Sequence, residues 1–139
     1  MNLIDTLSVT ASGLTAQRVR LQTVASNMAN ARTTRTEDGG PYKKKMPVFQ
    51  AEGDPFGSML DQAISRVSVT EIAESDAPTV RVFDPGHPDA DDNGYVEYPN
   101  VNVLEEMVDM MMTARTYEAN TSVVEVTRGM AMNALEMGR

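Results

Sequence analysis

Large apolar residues return every seven positions through the first thirty residues: Leu7, Leu14, Leu21 and Met28, with Leu3, Val24 and Ala31 on the interleaved positions. That spacing is the seam of a helix that pairs with another helix. Thr10 and Gln17 stand where apolar residues are expected, and the pattern stops in the Thr- and Gly-rich run ARTTRTEDGGP. The spacing predicts a helix over about 3–31.

A second periodic segment follows Pro99. Asn102 is placed to cap its first turn, Glu105 stands three residues on, Glu106 adds negative charge suited to a helix N-terminus, and Gly138 is a stop signal. One stripe runs Val103, Met107, Met110, Ala114, Tyr117, Thr121, Val124, Ala131, Leu135, and a second runs Met112, Ala119, Val123, Val126, Met130, Met137. The offset of two residues is about 200° on a helix, so the two stripes face nearly opposite ways. A monomeric two-helix hairpin needs one apolar face, and the spare face requires another covering surface. At roughly 1.5 Å per residue the helices span about 43 and 54 Å, against a radius of gyration of about 14 Å for a globule of this length. They are expected to protrude. A three-layer core, with the middle segment covering the second stripe, satisfies the same periodicity. The consecutive Met110, Met111 and Met112 suit adaptable packing between non-equivalent surfaces, or serve as filler in an ordinary core.

Between the helices the signals are short and extended. Val67, Val69 and Ile72 in VSVTEIAE and Val80 and Val82 in PTVRVFD predict a β-hairpin with SDAP as its turn, and MPVFQA and GYVEY are further strand candidates. GSMLDQAIS is either a helical turn or a loop. The class is α+β: long N- and C-terminal helices paired as a coiled-coil-like hairpin, with a small β-rich middle insert.

Composition narrows the chemistry. The 139 residues are 41% apolar and contain no cysteine, which removes disulfides, thiolate zinc sites and thiol nucleophiles. The N-terminus lacks the basic start and apolar run of a cleaved secretory signal, and no stretch of about 18 apolar residues occurs. Residues 1–50 hold seven Lys/Arg against three Asp/Glu, and residues 51–139 hold five against seventeen, for net charges of +4 and −12. Halves of opposite sign favour self-association over a nucleic-acid partner. The basic run Lys43, Lys44, Lys45 reads as a solvated strand entry.

The densest cluster of polar groups is DPGHPDADDNGYVEYPN, Asp84 to Asn100. Asp89, Asp91, Asn93 and Gly94 match the opening of an EF-hand loop, which suggests a calcium-responsive binding module as a rival reading. The twelfth position is Asn100 instead of a bidentate Glu, Pro88 precedes the loop, and a strand follows it. Asn93-Gly94 reads better as a turn. His87 is the sole histidine and lies between Gly86 and Pro88, with no nucleophile motif elsewhere and no phosphate-binding glycine loop. No catalytic residue, cofactor site or metal-ligand set is assigned. Asp84 and Pro85 close a strand, Asn93-Gly94 reverses the chain, and Pro99 ends the extended run so that Asn102 can begin the helix.

Four segments resemble the flagellar basal-body rod proteins. SNMANARTT, which includes Ser26, Asn27, Asn30 and Thr33, is similar to the Asn-rich motif at the end of the first helix of rod and hook proteins. GGPYKKKMPVF resembles the segment that follows it in proximal-rod members. The block Asp84 to Met111 is the most specific, through Asp84, Pro85, Gly86, His87, Pro88, Asp89, Gly94, Tyr95, Pro99, Asn100, Asn102 and Glu105. RTYEAN, with Arg115, Tyr117 and Asn120, resembles the signature of the C-terminal helix. Met28 departs from the Leu or Ile expected there, and Ala51–Arg66 matches no motif.

The resemblance implies a structural subunit of the periplasmic proximal rod, or another axial subunit of rod or hook, exported without signal cleavage by the flagellar type III apparatus. It implies an inner helical domain from residues 1–35 and 100–139 lining the export channel, and an outer β-rich domain from 36–99. Expected partners are rod subunits of the FlgB, FlgF and FliE types, copies of itself and the distal rod protein FlgG, with no nucleic acid, membrane insertion, cofactor or enzymatic activity. The expected assembly residues are those of the two C-helix stripes and the N-helix seam.

Overall fold

The structure, a computed structural model, describes residues 3–37, 39–52 and 65–138, with Leu3 described in its backbone alone. GSMLDQAIS therefore lies, apart from Ser65, outside the described residues, as does the Leu3 side chain. The elements in order are α1 (Leu3–Ala29), β1 (Lys45–Glu52), β2 (Arg66–Glu74), β3 (Val80–Phe83), β4 (Tyr95–Tyr98) and α2 (Val103–Met137).

α1 stops two residues short of the expected end because Asn30 folds back on it. The Asn30 amide donates to the Ser26 carbonyl at 2.9 Å, and its Oδ1 accepts from the Thr33 hydroxyl at 3.1 Å. The same Ser26 carbonyl also accepts the Asn30 backbone N–H at 3.0 Å, so backbone and side chain of Asn30 close the helix end together. α2 starts as expected, with the Asn102 side chain accepting from the Leu104 N–H at 3.1 Å. It runs for 35 residues to Gly138.

The helices pair antiparallel. Asn27 meets Glu106, and a Cβ on Gly13 would lie 3.5 Å from the Asn120 amide nitrogen. These contacts are fourteen residues apart on each helix, two heptads, so the hairpin keeps a coiled-coil-like register. The buried positions of α2 are Glu106, Thr113 and Thr127, with Asn120 half-buried between them. This is a polar heptad. It shares the contact with Met110, Val124 and Ala131, which are half-buried, while Val103, Met107, Thr121 and Leu135 of the same expected stripe are exposed. On α1, Leu7, Leu14, Leu21 and Met28 are half-buried, and Ala16, Thr23, Val24 and Asn27 lie deepest. The centre of the contact is thus shifted from the large apolar residues onto small and polar ones. Threonine is tolerated there because its hydroxyl bonds its own helix: Thr113 to the Asp109 carbonyl at 2.7 Å, Thr23 to that of Val19 at 3.0 Å, Thr10 to that of Thr6 at 2.8 Å.

The strands exist where the sequence places them, but their partners differ. β1 pairs with β2, and β3 with β4, in two separate antiparallel ladders; the expected β2–β3 hairpin does not form. The observed pairing sets opposite charges across from one another. Lys45 faces Glu74 and Glu52 faces Arg66 across β1–β2, and Arg81 faces Glu97 across β3–β4. Such pairs contribute about 0.2–1 kcal/mol each. A hairpin turning at SDAP would instead set Glu71 against Val82 and Ile72 against Arg81. Two-stranded ladders are marginal alone. β1 and β2 rest on α1, where the Ser12 hydroxyl accepts the Val67 N–H at 3.1 Å.

β3 and β4 are joined by a folded loop over 84–94. It ends at Gly94, whose φ of +76° is left-handed and whose missing Cβ would lie 3.0 Å from the Phe83 ring and 3.1 Å from Pro85 Cβ. Gly94→Ala combines backbone strain with a steric clash and should lower stability by about 1–3 kcal/mol. A urea midpoint equal to that of the unaltered chain would contradict this.

Candidate functional site

Among the described residues, the most deeply buried polar side chain is Asn27, at 1% exposure. Its amide nitrogen donates to the Lys45 carbonyl at 2.9 Å and to Glu106 Oε2 at 3.0 Å. Its oxygen accepts from the Tyr42 hydroxyl and the Lys45 N–H, both at 2.9 Å. Both donors and both acceptor positions are filled, the full capacity of an amide. Glu106 is 3% exposed, and its other oxygen receives the Lys44 ammonium at 2.6 Å. One turn away the Arg20 guanidinium forks onto the Asp109 carboxylate, with Nε 3.2 Å from Oδ2. This hub ties α1, the segment 42–45 that leads into β1, and the first turns of α2 into one unit. The cleft bounded by Arg20, Asn27, Lys44, Lys45, Phe49, Glu106 and Asp109 holds the Arg20–Asp109 and Lys44–Glu106 pairs within it.

The loop residues singled out by sequence are committed to the turn itself. Asp91 Oδ1 accepts the N–H groups of Tyr95 at 2.8 Å and Asn93 at 2.9 Å, and Oδ2 receives the Arg81 guanidinium at 2.7 Å. The Tyr95 amide first, then Asn93 and Arg81, hold its carboxyl below the usual aspartate range. Asp89 turns elsewhere, accepting from the Thr34 hydroxyl at 2.8 Å with the Arg35 guanidinium 4.0 Å away. It therefore moors the loop to the tail of α1. His87 Nδ1 accepts the Asp89 N–H at 3.1 Å, and its ring packs edge-on to Tyr98 at 6.2 Å. Asp84 accepts the Gly86 N–H at 3.3 Å. Pro85, Pro88 and Asn100 are exposed, and Pro99 is buried just before α2. Among the described residues, no three His, Asp or Glu side chains gather as a metal-binding group.

The remaining motif residues divide by role. Ser26 Oγ lies 3.3 Å from the Tyr42 hydroxyl, and Thr33 holds Asn30 and accepts the Tyr42 N–H at 3.0 Å. Tyr95 packs edge-on to Phe83 at 5.3 Å. Glu105 and Arg115 are exposed on α2, Tyr117 is 38% exposed, and Asn120 faces Gly13.

Away from the hub, α2 presents a broad apolar surface. Val123, Val126, Met130 and Met137 of the second stripe are 44, 63, 64 and 84% exposed, and Met112 and Ala119 are exposed with them. Leu104, Val108 and Met111 extend this surface around the helix. Among the described residues, the buried hydrophobic side chains are Ala16, Val24, Tyr42 and Val96, of which Val96 is fully buried. A surface this apolar on a chain with so small a core is suited to contact with other subunits. The sequence assigns Glu106 to a helix N-terminus and Lys44 to a solvated strand entry, where the structure pairs them in the buried hub, and it does not single out Tyr42, Thr113 or Thr127. The signal that marks three of them is the heptad of polar residues 106, 113, 120 and 127 between the two apolar stripes.

Removing Asn27 leaves the Lys45 N–H and one Glu106 oxygen without partners and weakens the hold on Tyr42. At about 1–3 kcal/mol per buried orphan, Asn27→Ala should cost roughly 3 kcal/mol or more, and Asn30→Ala, which removes one helix-end bond, about 1 kcal/mol. Urea denaturation of both variants checks this, and equal midpoints would contradict the separation of roles.

Two family models match the chain. One described as Flagella basal body rod protein covers residues 7–35, and one described as Flagellar basal body rod FlgEFG protein C-terminal covers 92–137. The flagellar basal-body rod protein FlgC of Bacillus subtilis is 43% identical over 150 aligned positions, with all of both chains covered. That of Borreliella burgdorferi is 40% identical over 97% of each chain, and that of Salmonella typhimurium 41% over the whole of both. Identity of this level across the full length, spanning both helices and the loop block, places the chain in the FlgC family of flagellar basal-body rod proteins.

Proposed function

We propose that the chain is a structural subunit of the flagellar rod, built into it by burial of the outward surface of α2 against neighbouring subunits. The observation that carries this is the row Val123, Val126, Met130 and Met137, left exposed on a chain whose other helix covers a different side of α2, the one carrying Glu106, Thr113 and Thr127. Burying each such side chain contributes about 1.5–3 kcal/mol before ordering costs, so a face of this size drives assembly without guaranteeing a rigid free monomer. Repetition of one staggered contact builds a helical tube.

In this reading residues 1–35 and 100–139 form the inner helical domain that lines the channel, and 36–99 form the outer domain. The neighbours are copies of the chain and rod subunits of the FlgB, FlgF and FliE types, with FlgG beyond. The location is the periplasmic rod of the basal body, reached through the type III export apparatus. Among the described residues, no helix is long and apolar enough to cross a membrane, in keeping with that route. The acidic loop shapes a joint between β3 and β4 and has no catalytic role, a reading supported by the commitment of Asp89, Asp91 and His87 to internal bonds.

A carboxylate placed in the exposed stripe tests the reading. Val123→Asp and Met130→Asp should reduce incorporation into rods by at least about tenfold, the effect of a contact weakened by ~1.4 kcal/mol, while strand structure is retained. Incorporation at the normal level would overturn the assignment of this face.

A further inference from the structure

Asn93 is the one asparagine in the sequence followed by glycine. Without a Cβ on the next residue, the backbone nitrogen of Gly94 has unhindered access to the Asn93 side-chain carbonyl carbon. In that reaction a bond forms between Gly94 N and Asn93 Cγ, the Cγ–Nδ2 bond breaks, and ammonia leaves with the proton lost from Gly94. Water then opens the cyclic imide at either carbonyl, giving aspartate or isoaspartate.

The folded turn ties down the attacking nitrogen and the backbone on either side of it. The Gly94 N–H donates to the Asp91 carbonyl at 2.9 Å, and the Gly94 carbonyl accepts the Asp84 N–H at 2.9 Å. The Asn93 N–H is fixed on Asp91 Oδ1 at 2.9 Å. Bringing Gly94 N onto Cγ turns the Asn93–Gly94 peptide plane and breaks the first of these bonds, in a turn whose Gly94 is held at φ +76°. The adjacent carboxylates of Asp91 and Asp92 also disfavour the amide anion that must form.

We propose that Asn93 is a site of spontaneous deamidation, open in the unfolded chain and closed in the folded one, so that time spent unfolded is recorded as a lesion in the β3–β4 turn. Isoaspartate routes the main chain through the side-chain carbon and lengthens it at the turn. The Gly94–Asp91, Asp84–Gly94 and Tyr95–Asp91 bonds then cannot all be made, and the strand register that depends on them is lost. Aspartate alone leaves the backbone unchanged.

The test incubates the full chain at one pH and temperature in native buffer and in concentrated urea, with aspartate and isoaspartate at position 93 quantified by peptide mapping. The urea rate should exceed the native rate by at least about tenfold, the ratio given by a local opening free energy of ~1.4 kcal/mol. Asp91→Ala removes the acceptor of two amide protons and should raise the native rate toward the urea rate. After refolding, chains carrying isoaspartate should fail to regain amide protection at Asp84 and Tyr95, whereas Asn93→Asp should regain it. Equal rates in buffer and urea, no acceleration in Asp91→Ala, or full protection in the isoaspartate chains would each overturn the proposal.

Discussion

The architecture turns on one buried amide. Asn27 bonds at once to β1's first residue, to Tyr42 and to Glu106 of α2, and Glu106 in turn holds Lys44. Burying a carboxylate costs several kcal/mol unless it is paired and hydrogen-bonded, so Glu106 stabilises the fold only in the arrangement where Asn27 and Lys44 both reach it. A register slip of α2 along α1 would strand that charge. The hub therefore specifies one arrangement of helices and strands more than it adds net stability.

The polar character of the seam follows from the demands on α2. Its large apolar residues are spread around the helix, and the side turned to α1 carries Glu106, Thr113, Asn120 and Thr127. Such an interface is specific and thin. Gln17 Oε1 is buried without a partner among the described residues. The apolar area that a monomer would place inside is instead exposed on α2, the surface proposed above to meet neighbouring subunits.

Much of this was legible in the sequence, for identifiable reasons. Heptad spacing gave both helices to within two residues, since Asn102 and the Gly138 stop act locally, and only the backward fold of Asn30 shortened α1. The turn at Asn93-Gly94 was readable because its positive φ needs glycine. Strand partners were not, because pairing depends on residues far apart in sequence such as Lys45 and Glu74. The seam was misplaced because threonine looks polar in a sequence while its hydroxyl is satisfied within its own helix. The joining of Lys44, Asn27 and Glu106 had no short-range signal at all.

Hydrogen exchange on the isolated chain, compared with the chain in assembled rods, tests the central claim that the free subunit is pinned at the hub and completed only by neighbours. The account predicts slow exchange in the free chain around Asn27, Lys45 and Glu106, fast exchange in α2 beyond Val123, and uniform protection of α2 in rods. A free chain with both helices protected along their whole length, unchanged on assembly, would contradict it.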